Sequence, residues 1–189
     1  MRPLLATILG AALLLHAGAA LAQGNGGTQP RVNPDAQLQA VFLKRVEAYM
    51  ELREGALKRL PPEVTASGVP QAERLARVIV QARPAAEPGE FFTSAVRAYV
   101  RRQIARVLAG PDGAQIRASI MDENPGRIHV RINGRYPDSA PLASMPLQVL
   151  AALPKLPTEL EFRFIGRRLI LLDVDAHLVL DYMENALQR

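Results

Sequence analysis

The stretch ILLDVDAHLVLDY, residues 170–182, sets three carboxylates and one histidine among nine apolar or aromatic residues. Counted at the strand period of two, Asp173, Asp175 and His177 fall on one face, and Ile170, Leu172, Val174 and Ala176 fall on the other. Oxygen ligands with one imidazole suit manganese, iron or zinc better than a thiolate-seeking metal. Asp181, after a bend in the chain, and the acidic pair Asp122 and Glu123 could add to such a set. The competing reading is plainer. D-x-D-x-H recurs by chance on solvated strand faces, and Arg167 and Arg168 lie close enough in sequence to pair with the carboxylates. The residues are therefore read first as the polar side of a core strand. A metal-dependent enzyme using Asp173, Asp175 and His177 is the alternative.

Other chemistry finds less support. The chain has no cysteine, which removes thiol nucleophiles, disulfides and thiolate metal sites together. There is no G-x-S-x-G elbow, no S-x-x-K, no Walker loop and no G-x-G-x-x-G. Past the N-terminal 22 residues the only imidazoles are His129 and His177, and Ser67, Ser94, Ser119, Ser139 and Ser144 have no diagnostic context. No cofactor is expected. The formal charge of +5 comes from arginines spread along the chain, and aromatics make up 5% with no tryptophan. Neither the clustering needed to bind nucleic acid nor a stacking platform is present.

The elements that must position these residues follow from periodicity. Residues 1–22, MRPLLATILGAALLLHAGAALA, carry one cation, an apolar run and an A-L-A site, and read as a signal peptide cleaved after Ala22. Export to the periplasm or the medium follows. The apolar run is too short to span a bilayer, and no later stretch approaches the roughly 20 residues a span requires, so a soluble product is expected. Residues 23–34, QGNGGTQPRVNP, read as a flexible tether. Residues 35–189 are expected to form a single domain, large enough to fold around a packed core without cross-links.

Within that domain, helical spacing runs from residue 35 to Leu60, with Arg45 and Arg53 inside the apolar arc, where each must find a carboxylate or snorkel. Further helices are expected over 70–83, after a Thr93 cap to Gly110, over the segment AQIRASIMD, and over 147–153. Asp122 and Glu123 sit at the negative end of the fourth helix, against the helix dipole. The period then changes. RIHVRIN, residues 127–133, alternates like a half-buried strand, and residues 160–174 form a hairpin turning at Gly166-Arg167. In that hairpin Ile165 faces Arg168, Arg163 faces Ile170 and Glu161 faces Leu172, and the second arm is central. Residues 178–187 return to helical spacing through Leu178, Met183 and Leu187. The fold class is α+β, with N-terminal helices packed on a small C-terminal antiparallel sheet and a terminal helix.

FFTSAVRAYVRRQI, IMDENPG, INGRYP and MPLQVLAALPKLPTELEFRFIGRRLILLDVDAHLVLDYMENAL resemble a family of short, uncharacterised exported bacterial proteins. The resemblance implies a signal peptide and one compact domain, and brings no activity with it. The expected function is a non-catalytic periplasmic binding or interaction module, meeting an envelope protein or a cell-wall component. Oligomeric state is left open.

Overall fold

The computed structural model describes residues 33–60, 70–122, 124, 128–137, 140 and 145–188. The expected signal peptide and nearly all of the tether lie outside the described residues. Five helices precede three strands: α1 (Pro34–Lys58), α2 (Gln71–Ala82), α3 (Ser94–Leu108), α4 (Gly113–Asp122), α5 (Leu147–Ala152), β1 (Leu160–Ile165), β2 (Arg168–Asp173) and β3 (Leu178–Met183). The protein is α+β, its helices N-terminal and its antiparallel sheet near the C-terminus.

The helices start where local chemistry favours a start. Asn33 accepts from the Asp35 N–H at 3.0 Å and Pro34 occupies the first turn of α1, where its missing N–H costs nothing. Thr93 caps α3 by accepting from Val96. The α1 face formed by Phe42, Val46, Tyr49, Arg53 and Ala56 is buried, and α3 buries Val96, Tyr99, Val100 and Ile104. Both sets follow the spacing of three and four residues that keeps one helix face inward.

The sheet runs in the order β1-β2-β3, both pairs antiparallel, with β2 in the centre. The hairpin register agrees with the sequence reading: Ile165 opposes Arg168, Arg163 opposes Ile170 and Glu161 opposes Leu172. Gly166, at φ 58°, supplies the left-handed turn position. Asn124 holds that turn from outside, donating to Gly166 O at 2.8 Å and accepting from its N–H. On one face of the sheet Leu160, Phe162, Phe164, Leu169 and Leu171 join the helical core, where the rings of Phe42, Phe92 and Phe162 form a mutually contacting trio. On the other face Ile165, Ile170, Leu172 and Val179 are covered by Val130, Tyr136 and Ala140.

Two elements differ from expectation. Residues 178–183 are strand β3, and no helix follows it among the described residues. The register slips between Leu171 and Leu172, which oppose Asp181 and Val179, so Leu180 is an extra residue in the ladder. This bulge breaks the period of two. It puts Leu178, Leu180 and Met183 on the helix side, so the alternation that marks a strand is lost in the bare sequence. The other difference concerns residues 127–133. Arg127 lies outside the described residues, and residues 128–133 pair in no ladder; they run across the sheet as a cover that buries Val130 and half-buries Ile128. Burial on one side alone produces alternation, with or without a strand partner.

Candidate functional site

The motif at residues 173–177 is divided by the end of β2. Asp173 is the last residue of that strand, and residues 174–177 are the turn to β3, closed by His177 at φ 50°. Asp173 is fully buried while Asp175 and His177 are exposed, so the three do not share a strand face. Both oxygens of Asp173 are engaged within the fold. Its Oδ2 accepts from Tyr49 Oη at 2.6 Å and from Arg53 Nε at 2.9 Å, and its Oδ1 accepts from Ala176 N at 2.9 Å. The other arm of Arg53 reaches Asp175. The arginine inside the apolar arc of α1 thus finds not one carboxylate but two, and together they staple the β2–β3 turn to α1. Arg45 instead donates to the Glu90 carbonyl.

The electrostatics follow from burial. Desolvation opposes the charge on Arg53, but the charge and hydrogen bond of Asp173, with Asp175 behind it, prevail and raise its pKa above the ordinary value. Burial first, and then the charge of Asp173, push the Tyr49 phenol far above its usual range, so it stays a neutral donor.

Asp181 serves elsewhere. The bulge turns it toward the loop before α3, where it accepts from the N–H groups of Gly89, Phe91 and Phe92 at 2.8 to 2.9 Å, and it also takes the Tyr182 N–H. A fully buried carboxylate holding four backbone amides acts as a loop anchor. Asp122 is exposed at the end of α4, and Glu123 lies outside the described residues. Among the described residues, no group of three His, Asp or Glu side chains is placed to hold a metal ion. Asp175 and His177 border only an open hollow of about 510 Å³ beside Arg53 and Leu57.

A different surface has the shape of a binding site. Between α5 and β1 lies a groove of about 990 Å³, with Leu147, Leu150, Leu153, Leu156, Leu160 and Phe162 in its lining and Lys155, Glu161 and Arg163 at its margin. Leu147 is 78% exposed and Leu150 44%, although Val149 of the same helix is fully buried. The groove runs along a sheet edge that has no backbone partner among the described residues. The Val174 N–H bonds to Glu159 O, and with the register this turns the peptide groups of Glu161, Arg163 and Ile165 toward β2. Those of Phe162 and Phe164 therefore point away from the sheet, and they meet no partner among the described residues. Leu160 N is already bonded to Pro157 O.

Comparison with protein families, curated proteins and solved structures finds no match to this chain. The sequence reading missed the groove. The available signal was in α5, where LQVLAA and the following leucine are apolar except for Gln148, more than one buried face can use.

Proposed function

We propose that this protein is an exported, non-catalytic interaction module of the bacterial cell envelope, and that the groove between α5 and β1 is its docking surface. One observation carries the proposal: an apolar groove with exposed Leu147 and Leu150 lies beside a sheet edge whose peptide groups are unpaired among the described residues. Exposed apolar surface and an open edge are liabilities that folded proteins normally blunt, and together they fit a protein partner that supplies both side chains and backbone hydrogen bonds. The aliphatic lining suits a polypeptide better than a wall glycan, which binds through aromatic platforms and dense polar contacts. Export is supported by the signal-like N-terminus and by the resemblance to short exported proteins. The metal-dependent alternative loses support because Asp173 and Asp181 spend their oxygens on the fold. No described helix is long and apolar enough to cross a membrane.

The test is photo-crosslinking in living cells, with benzoylphenylalanine placed at Leu147 and, as a control, at Lys44 on the exposed side of α1. A covalent protein adduct from position 147 and none from position 44 is expected. Cells that yield no adduct from position 147 or 150 would overturn the proposal.

A further inference from the structure

We infer that the occupant of this groove is a second copy of the chain, joined through an antiparallel β1–β1 contact whose twofold axis passes through Phe162. The inference rests on the reading of the groove as a docking surface and names its partner. β1 reads L-E-F-R-F-I, and its outward peptide groups belong to the even-numbered residues. An antiparallel mate must therefore pair even with even, which admits a dyad at any residue of the strand; one on Glu161 or Arg163 would set that charge against its own copy, one on Ile165 would set Arg163 against Arg167, and Leu160, Phe162 and Phe164 are left.

Charge selects among them. With the dyad at Phe162, Glu161 of each copy stands directly opposite Arg163 of the other, twice by symmetry. A dyad at Leu160 would set Glu161 against Glu159, and one at Phe164 would set Glu161 against Arg167 in the turn, off the end of the strand, and Arg163 against the apolar Ile165. Only the central register pairs opposite charges within the strand and opposes none of like sign. The Phe162 N–H and C=O of each copy then bond reciprocally, and each Phe164 N–H finds a Leu160 carbonyl. Leu160 N keeps its bond to Pro157.

A second observation points to the same carboxylate. Arg163 is nearly buried and donates through Nη2 to its own Glu161 at 2.5 Å, yet its Nε, shielded from solvent, has no hydrogen-bond partner. An arginine fork engages a carboxylate best with two parallel N–H groups. The mate's Glu161, arriving opposite Arg163, offers this guanidinium a second carboxylate, which Nε meets once the side chain turns to expose it. The same rotation brings the two grooves together, so that each copy's Leu147 and Leu150 leave water.

Sedimentation of the purified protein over a wide concentration range tests this. The unmodified chain should run as a dimer. Glu161→Arg and Arg163→Glu should each weaken the dimer at least about tenfold, because each sets like charges opposite one another on both sides of the dyad. The double variant Glu161→Arg/Arg163→Glu, self-complementary again, should recover dimerisation. Leu147→Asp alters a side chain too exposed to unfold the domain and should also shift the equilibrium to monomer, which keeps the test decisive if a charge variant folds poorly. A chain that stays monomeric, single variants that dimerise like the parent, or a double variant that does not recover would overturn the inference. A monomer that still cross-links from position 147 to a different protein would overturn the dimer and leave the docking proposal intact.

Discussion

Along the outer side of β3, the segment around Gly134 pairs with the start of the strand: Asn133 N donates to Val179 O, Val179 N to Gly134 O, and Tyr136 N to His177 O at 2.7 Å. Arg83 ties this cover to the helices, its guanidinium bonded to Glu90 and Asn133 and stacked near the rings of Tyr49 and Phe91. Along β1, on the other side of the same sheet, nothing comparable is found among the described residues, and apolar side chains stand exposed instead. A chain that pairs part of one edge in this way has the means to cover an edge. Under the proposed function this difference separates two roles: the bonds on the β3 side serve stability, and the outer edge of β1 serves docking.

Substitutions should divide along the same line. The largest effect is expected at the staple on the β2–β3 turn. Asp173→Ala leaves the Arg53 guanidinium buried without its main counter-charge and should lower stability by about 3 to 5 kcal/mol in urea denaturation. Asp181→Ala comes next, at about 3 kcal/mol, because it strands the amides of Gly89, Phe91 and Phe92. If either change left the unfolding midpoint in place, the β3 side would not be the stabilising side.

Tyr49→Phe should cost about 2 kcal/mol at neutral pH through the lost bond to a charged acceptor. It also carries a pH signature. The folded-state pKa of Tyr49 is raised, so its contribution is complete below the ordinary value of 10.0 and declines as pH rises beyond it, where the unfolded chain releases the proton and the folded chain keeps it. Melts between neutral and strongly alkaline pH should show a shallower alkaline loss in Tyr49→Phe than in the parent. Some loss should persist, since burial raises Tyr99 and Tyr136 as well.

His177→Ala, in the exposed turn, should cost far less than Asp173→Ala, and added manganese or zinc should shift the melting temperature of neither protein. A metal-dependent rise in the parent that vanishes in the variant would restore the metal site. Smallest of all, Leu147→Asp should leave stability within about 0.5 kcal/mol of the parent, as surface changes do, while altering association. A large loss there would mean that the open edge is part of the core.

The bare sequence determined the helices, the β1–β2 register and the central place of β2, because each depends on local signals: caps, prolines, a glycine turn and unbroken periodicity within a few residues. It also marked Arg53 as misplaced on its helix, which was a correct sign of a buried pair, although Asp173 stands 120 positions away and no local rule can name so distant a mate. The tertiary structure alone decided the rest. The Leu180 bulge turned an apparent helix into β3, and the fold sent Asp173 and Asp181 to different partners although they sit in one short motif. Whether an edge is covered is likewise outside the reach of periodicity, which records the face a side chain turns inward. Which backbone groups remain unpaired depends on segments that meet only after the chain has folded.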